Sequence, residues 1–396
     1  MRGRVNAMRI AFYAPLKAPD HPLPSGDRRV AQLFFRALEE AGHAPFLASR
    51  LRSYDGAGDL GRQARLKGVG ASLARALESR WRRRPREAPQ LWFTYHLYHK
   101  APDHLGPFLA EAFAIPYVVA EASFAGKRAG GPWAIGHEAA EHAIRRADLV
   151  IALNSADREG VLPLLKEGAR LVSLKPFLDP ALFYRKTDQE GGEARLITVA
   201  MMREGDKLRS YRLLGEALET LLDLPWSLEV VGDGGARAQV EKALAPLAAR
   251  VRWSGVLESQ ALASRLAASD LFVWPAINEA FGMALLEAAA SGLPVVAGDF
   301  GGVRDIVASG LSGLLVPPAN AKAFASAVRG LLLDRARRER MGREAFSRVR
   351  AEHDCIRASR RLEEAFAPFA RATDSLKGIP ARRAAGGARD RKALSG

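Results

Sequence analysis

The sequence predicts an α/β protein built from two successive domains, each with a doubly wound parallel sheet. Short apolar strand patterns alternate with amphipathic helix patterns along most of the chain. This alternation stops at a segment that contains prolines and a Gly-Gly pair, residues 175–192, and then begins again. A length of 396 residues fits two domains of this kind.

Strand and helix patterns follow one another in order. The first half carries strand patterns at residues 9–14, 45–48, 91–95, 117–120, 149–153 and 170–174. A Pro-rich loop, residues 17–26, follows the first strand and leads into a helix over residues 28–41. The second half carries strand patterns at residues 196–200, 228–231, 251–253, 271–274, 294–297 and 313–316.

These patterns predict four parts of the chain. Residues 1–180 form the first α/β domain and residues 181–345 the second. Residues 346–372 form a C-terminal helix that could cross back to the first domain. Residues 373–396 are rich in Gly, Ala and Arg without an apolar face, which predicts a basic disordered tail.

Composition narrows the possible partners. The net charge is +15, but no zinc-ligand spacing, RNP-like aromatic motif or basic zipper accompanies it, so we expect no nucleic-acid partner. No run of 18 apolar residues is present, and the apolar run near the N-terminus is too short for a signal peptide. A single cysteine, Cys355, fits a reducing compartment. The expected location is the cytoplasm.

A basic segment, residues 50–90, differs from the rest of the first half. It has helical character over residues 59–84 and places Trp81 among arginines. One interpretation is a solvated surface helix. The other is a basic, aromatic-bearing patch that binds anionic lipid and holds the protein at the inner face of the membrane.

The most informative stretch is residues 271–302. A strand is followed by a loop that contains Glu279, and then by a helix from about residue 281 to 291. Glu287 lies within this helix, which is otherwise apolar on almost every side and should be buried. Because a buried carboxylate without a partner is costly, Glu287 should bind a group, and the helix N-terminus beside it suits an anion.

Other loops of the second half also follow strands and carry polar groups or glycines. MMREGDK supplies Arg203 and Lys207, and the segments GDGG, SGV and DFGG follow the next strands. Ligands bind at the carboxyl ends of strands in open α/β sheets. Two cations and a helix N-terminus suit a diphosphate, and a carboxylate can accept both ribose hydroxyls. GDGG lacks the GxGxxG spacing, which disfavours a nicotinamide nucleotide.

These motifs resemble a known family. NEAFGMALLEAAASGLPVV resembles the E-x7-E signature of the retaining GT-B glycosyltransferases of family 4, also called glycosyl transferases group 1. GGVRDIV, GLSGLLVPP, MMREGDK, VVGDGG and WSGVLES resemble other segments of that family, and the resemblance covers residues 196–349. It implies the GT-B fold, in which two Rossmann-like doubly wound domains face a central cleft.

The resemblance also implies roles for individual residues. Arg203 and Lys207 would hold the diphosphate of a nucleotide-sugar, Glu279 the hydroxyls of the transferred sugar, and Glu287 the ribose. The remaining donor-binding residues that it implies are Gly26, Gly232, Val256, Phe281, Gly282 and Met283. The family needs no metal, and no cofactor is expected, since the nucleotide-sugar is a substrate.

The sequence departs from the family pattern in the first domain. Many members carry a histidine after the fourth strand, where this chain has Glu121 in YVVAEAS. His96 lies after the preceding strand, in TYHLYHK. Glu121, His96 and Glu279 are therefore the candidate catalytic residues. Lys207 is not followed by the usual glycine, so Arg209 could compete for its role.

The expected function is transfer of a hexosyl-type sugar from a nucleotide-diphosphate sugar to an acceptor, with retention of configuration and without a metal. The acceptor would be a glycan or a lipid-linked molecule, as in the synthesis of cell-envelope polysaccharides. The alternatives are a nucleotide-sugar epimerase or phosphorylase of the same fold, and a non-catalytic partner protein with this fold.

Overall fold

A computed structural model describes residues 7–23, 25–184, 192–279 and 282–377. It contains two six-stranded parallel sheets flanked by helices, which confirms the predicted α/β class with two Rossmann-like domains. Phe281, the middle of the predicted interdomain segment and residues 378–396 of the predicted tail lie outside the described residues.

The first sheet has the strand order β2-β1-β3-β4-β5-β6. Its strands are β1 (Arg9–Tyr13), β2 (Ala44–Ser49), β3 (Leu91–Leu97), β4 (Tyr117–Ala122), β5 (Leu149–Ala152) and β6 (Arg170–Ser173). Its helices are α1 (Gly26–Glu40), α2 (Leu60–Arg83), α3 (Gly106–Ala112), α4 (Ala134–Arg146) and α5 (Ser155–Val161). The central strands β3 and β4 are buried along almost their whole length because helices cover both faces of the sheet.

The second sheet has the strand order β12-β11-β10-β7-β8-β9. Its strands are β7 (Ala194–Val199), β8 (Trp226–Val231), β9 (Val251–Gly255), β10 (Leu271–Trp274), β11 (Val295–Gly298) and β12 (Gly313–Val316). Its helices are α6 (Asp206–Glu219), α7 (Arg237–Leu244), α8 (Ser259–Ala267), α9 (Met283–Ala290), α10 (Val303–Ile306) and α11 (Ala321–Leu333).

In each sheet, the chain first adds strands on one side of the sheet's first strand and later adds strands on its other side. The boundary where the second set begins is called the reversal point. In the first sheet this point lies between β1 and β3, and in the second between β7 and β10. Adjacent loops diverge there and leave a crevice at the carboxyl ends of the strands. The topology therefore places the loops after β1 and β3, and the loops after β7 and β10, at the two positions where a ligand would bind.

Two long helices complete the chain, α12 (Arg335–Glu352) and α13 (Cys355–Lys377). Leu178, from the connection between the domains, donates its N–H to the His353 carbonyl at 2.9 Å and accepts from the Cys355 N–H at 2.9 Å. Helix α13 then packs on α1 of the first domain. The helix extends to Lys377, so residues 373–377 are helical and not part of a disordered tail.

Helix α2 forms within the basic segment and is capped by Asp59, whose side chain accepts from the Arg62 N–H. Trp81 is buried, with its ring edge-on to Phe46 and Phe113. Trp81 therefore belongs to the core and cannot contribute to an aromatic-bearing surface patch, because one face of α2 supplies core contacts. Within the described residues, no helix is both long enough and apolar enough to cross a bilayer.

Candidate active site

The crevice of the second sheet brings together two of the predicted donor-binding side chains, Lys207 and Glu279. Lys207, in the first turn of α6, places its Nζ 2.5 Å from Glu279 Oε2 in the loop after β10. Trp274 Nε1 donates to the same oxygen at 3.2 Å, and the Lys207 ammonium lies 5.3 Å from the centre of the Trp274 ring. Glu279 is thus held at the crevice with one oxygen, Oε2, engaged.

Arg203 lies in the loop after β7, exposed at the same crevice. Its side chain forms no ion pair or hydrogen bond with the described part of the chain, so its guanidinium is available to an anion. Arg209, the possible substitute for Lys207, instead pairs with Asp206. The lysine, and not Arg209, therefore faces Glu279.

The N-terminus of α9 opens onto this crevice. Gly282 is the N-cap residue with φ +73°, a left-handed conformation that a side chain would disfavour. A Cβ there would also lie 2.9 Å from Leu285 Cδ1. Met283 begins the helix and is buried. The unpaired N–H groups of this first turn suit an anion.

Glu287 is buried in α9 as expected, and its partner comes from the other domain. Arg29 Nε, on α1, lies 3.0 Å from Glu287 Oε1, and Arg29 Nη1 donates to Ser259 Oγ at 2.6 Å. Burial raises the pKa of Glu287, and Arg29 opposes that rise. The carboxylate that the resemblance assigns to the ribose therefore contacts an arginine from the opposite side of the cleft.

The loops after β7, β8 and β9 touch backbone to backbone. Gly232 has φ +134°, and a Cβ there would lie 2.0 Å from the Ala200 carbonyl oxygen. Its N–H donates to the Gly255 carbonyl at 2.7 Å. Val256 follows Gly255 and leaves 61% of its surface exposed. This edge offers an exposed apolar side chain beside backbone without side chains, which suits the flat face of a base.

In the first domain, His96 and Glu121 meet near the carboxyl ends of the neighbouring strands β3 and β4. His96 Nδ1 lies 3.7 Å from a carboxylate oxygen of Glu121 and 3.7 Å from one of Asp27. Burial lowers the pKa of His96, but Glu121 and Asp27 outweigh it and raise the pKa to about 9. Burial raises the pKa of Glu121 to about 7 against the pull of His96. Each residue therefore favours the ionised form of the other, against the effect of burial.

Glu121 is also conformationally unusual. Its φ is +55°, which is uncommon for a residue with a side chain and is strained. Its Oε2 is buried without a hydrogen bond in the described part of the chain, as is His96 Nδ1. Strain and unsatisfied polar atoms together mark this position as one shaped for a ligand. Gly26 lies nearby in the first turn of α1, and not in the preceding loop as predicted.

Sequence reasoning missed Asp27, Arg29 and Ser259. Asp27 and Arg29 follow Gly26 in the first turn of α1, a polar run at a strand's carboxyl end that could have drawn attention to them. Ser259 opens α8. The contact between Arg29 and Glu287 crosses the two domains, so no local pattern in the sequence indicates it.

The chain is similar to characterised glycosyltransferases. Residues 188–348 match the family described as glycosyl transferases group 1. The D-inositol 3-phosphate glycosyltransferase of Kineococcus radiotolerans is 31% identical over 237 residues, which is 53% of this chain and 54% of that protein. The sulfoquinovosyl transferase SQD2 of Arabidopsis thaliana is 36% identical over 135 residues, 33% of this chain and 26% of that protein. The chain thus spans about half or less of these two relatives.

Solved structures share the fold. Anabaena HepE, in a complex with UDP, superimposes with a TM-score of 0.70 at 16% identity, covering 91% of this chain and 100% of that one. Sucrose-phosphate synthase from Thermosynechococcus elongatus gives a TM-score of 0.67 at 19% identity, covering 93% and 98%. Residues 188–348, most of the second domain, therefore resemble the glycosyl transferases group 1 family, and the two sheets of this chain are arranged as in GT-B proteins.

Proposed function

We propose that this protein is a retaining, metal-independent glycosyltransferase of family 4 that transfers a hexosyl-type sugar from a nucleotide-diphosphate sugar to an acceptor. One observation carries the proposal. Arg203, Lys207, Glu279 and the N-terminus of α9 converge on the reversal point of the second sheet. Such a site combines groups for a diphosphate with a carboxylate for sugar hydroxyls.

The negative charge that develops on the leaving diphosphate explains the roles proposed for these residues. Transfer leaves a nucleoside diphosphate, and negative charge grows on its phosphates as the bond to the sugar breaks. Arg203, Lys207 and the N–H groups of α9 would stabilise that charge without a metal ion. Glu279 would orient the sugar by accepting from its hydroxyls, since one of its oxygens is already fixed by Lys207 and Trp274.

The first domain would complete the site. His96 borders the reversal point of the first sheet, between β1 and β3, and Glu121 lies beside it on β4, where both would face the transferred sugar or the acceptor hydroxyl. Arg29 reaches Glu287 in the second domain, so the two crevices face a shared cleft. Closure of this cleft would exclude water and favour transfer over hydrolysis.

The relatives support a nucleotide-sugar donor. Anabaena HepE, which shares the fold, has structures with UDP and with UDP-glucose. The Kineococcus relative is named a D-inositol 3-phosphate glycosyltransferase. A glycan or lipid-linked acceptor of the cell envelope remains our proposal for this chain.

A thermal-shift screen with UDP-, GDP- and ADP-sugars tests the proposal. We expect one nucleotide family to raise the unfolding temperature, and turnover of that donor to persist in EDTA. NMR of the product should show the anomeric configuration of the donor. Stabilisation by no nucleotide-sugar would contradict the donor site. Epimerised or phosphorolysed sugar would indicate the alternative enzymes, and binding without turnover would indicate a non-catalytic partner.

We further propose that the protein works in the cytoplasm at the inner face of the membrane, with α2 against anionic lipid. Arg65, Val69 and Leu73 lie four residues apart and are exposed on one face of this helix. Cosedimentation with phosphatidylglycerol vesicles should weaken with salt and in a Val69→Ser/Leu73→Ser variant. Leu333→Ser, at an exposed leucine of the second domain, serves as the control. Equal binding by both variants would mean that α2 does not contact lipid and is a solvated surface helix.

A further inference from the structure

Three cations of the first domain gather on the loop after β1. Arg52 Nε donates to the Leu16 carbonyl at 3.1 Å, and Arg28 Nε donates to the Pro19 carbonyl at 3.3 Å. Lys17 lies between these two carbonyls in the sequence. Each guanidinium is therefore held through its Nε, and its terminal nitrogens are left for another partner.

Asp27 is the carboxylate that acts on Lys17, and it does so without forming an ion pair. None of the three forms an ion pair with the described residues. Burial lowers the pKa of Lys17, and Arg52, Arg203 and Arg28 lower it further against the opposing effect of Asp27. Like charges held close together raise the free energy of the empty site, and a bound anion would relieve this.

The proposed donor does not require these cations. Its diphosphate already has Arg203, Lys207 and the N-terminus of α9 in the second domain. Arg28, Lys17 and Arg52 belong to the first domain, where His96 and Glu121 face the reacting sugar or the acceptor. They therefore lie in the domain proposed to bind the acceptor, with Arg203 of the donor site close enough to act on Lys17.

Two tyrosines line the space beside these cations. The Arg52 guanidinium lies 4.8 Å from the centre of the Tyr54 ring, which fixes its orientation. The Tyr98 ring lies 4.9 Å from that of His96. Tyrosine rings offer an apolar face and a polar edge, which suit a hydroxylated ring compound. The surface from Arg52 to His96 thus combines cations, aromatic faces and a titratable group.

We propose that the acceptor is a hydroxylated compound that carries an oxyanion, a phosphate ester or a carboxylate, bound by Lys17, Arg28 and Arg52. The oxyanion would lie on the loop after β1, while the ring packs beside Tyr54 and Tyr98. This position would direct a hydroxyl of the acceptor toward His96. The inference rests on the proposed glycosyltransferase function and adds the chemical class of its acceptor.

Calorimetric titration of the whole chain tests this proposed acceptor class. The nucleoside diphosphate that the thermal-shift screen selects, UDP, GDP or ADP, is present at saturation. The probes are glucose, glucose 6-phosphate and glucuronate. We expect the phosphate ester or the carboxylate to bind at least about tenfold more tightly than glucose. Comparing the two anionic probes identifies which oxyanion the site prefers.

Single variants assign the effect to these residues. Lys17→Ala and Arg52→Ala should each remove most of the preference for the anionic probe and leave nucleotide affinity unchanged. Arg50→Ala is the matched control, because Arg50 lies in the same segment but already pairs with Asp20 at 2.6 Å. It should bind as the unaltered protein does.

Several results would overturn the inference. Equal binding of all three probes, or binding of none, would contradict an oxyanion on the acceptor. Identical behaviour of Arg50→Ala and Arg52→Ala would attribute the preference for anionic probes to net charge alone. A loss of nucleotide affinity in Lys17→Ala and Arg52→Ala as large as in Arg203→Ala would assign these cations to the donor. If no nucleotide binds at all, the proposed function fails first, and the two failures are thereby distinguished.

Discussion

At the scale of single residues, Glu287 depends on a partner. It is a carboxylate in a helix of apolar residues, and burial raises its pKa. In the described structure only Arg29 offsets that burial through an ion pair. Any ligand that uses Glu287 must therefore supply hydrogen bonds of similar strength.

The Glu287→Ala variant tests the proposed ribose contact. Removing the acceptor of two hydroxyl groups should weaken nucleoside diphosphate binding by at least about tenfold, since hydrogen bonds to charged groups contribute about 1.5–3 kcal/mol each. Glu287→Gln keeps one acceptor oxygen and should lose less. Calorimetry measures both, and unchanged affinity in Glu287→Ala would contradict the ribose role.

The His96 pair predicts a pH-dependent stability. Burial alone would lower the pKa of His96, but Glu121 and Asp27 raise it to about 9, above its usual 6.5. Its contribution to the free energy of unfolding is then full below the unfolded pKa and is lost as the pH rises through the folded one. The stability difference between the unaltered protein and His96→Gln should shrink from about pH 6 to about pH 10.

Urea unfolding at several pH values measures this difference. His21→Gln, at a partly exposed histidine of the same domain, serves as the control. A constant difference for His96→Gln across the range would mean that folding leaves the pKa of this histidine unchanged.

Residues near one sheet edge could be predicted from the sequence, and residues that depend on distant contacts could not. Arg203, Lys207 and Glu279 each follow a strand of one sheet, so parallel topology alone brings them together. Arg29 contacts Glu287 only because two domains face each other. The burial of Trp81 could not be predicted, because arginines flank it on both sides in the sequence.

At the scale of elements, α13 joins the two halves of the chain. It begins after the second domain yet rests on the first, where the Phe366 ring lies 5.7 Å from that of His43 and 6.3 Å from that of Phe93. Arg170 Nη1 also donates to the Ala365 carbonyl at 2.7 Å. The first domain is therefore completed by the end of the chain.

The Phe366→Ala variant should destabilise the first domain. Phe366 is buried at 1% exposure, and truncation of such a phenylalanine costs about 3–5 kcal/mol because it leaves a cavity. Ile356→Ala lies on the same helix at 54% exposure and should change the free energy of unfolding by about 0.5 kcal/mol or less. Denaturant unfolding measures both, and equal losses would show that α13 does not hold the domain.

The order of elements was predictable because strand patterns in a parallel sheet are short, apolar and regularly spaced. Their pairing partners were not, since a reversal between β7 and β10 leaves no local mark in the sequence. The exact end of α13 was also missed: residues 373–377 continue the helix although their composition resembles that of the tail.

At the scale of the whole molecule, two crevices face one cleft, and Arg29 spans it. Its guanidinium reaches Glu287 and Ser259 in the second domain while its backbone belongs to α1. This contact favours an approach of the domains even before a ligand binds.

The Arg29→Ala variant should therefore widen the cleft in the nucleotide-free protein. Small-angle X-ray scattering would show a larger radius of gyration than in the unaltered protein. Arg62→Ala, at an exposed arginine of α2, removes the same charge away from the cleft and should leave the radius unchanged. An unchanged radius in Arg29→Ala would show that other contacts set the domain distance.

If Glu287 binds the ribose, Arg29 and the nucleotide compete for one carboxylate. The free protein is then a mixture of molecules with and without the Arg29–Glu287 ion pair. The measured donor affinity is the intrinsic affinity multiplied by the fraction of molecules without the pair. Salt screens the Arg29–Glu287 ion pair and would raise the fraction of molecules without it, although salt also weakens the phosphate contacts. Donor affinity would consequently respond to ionic strength less steeply than the cations of the site alone would require.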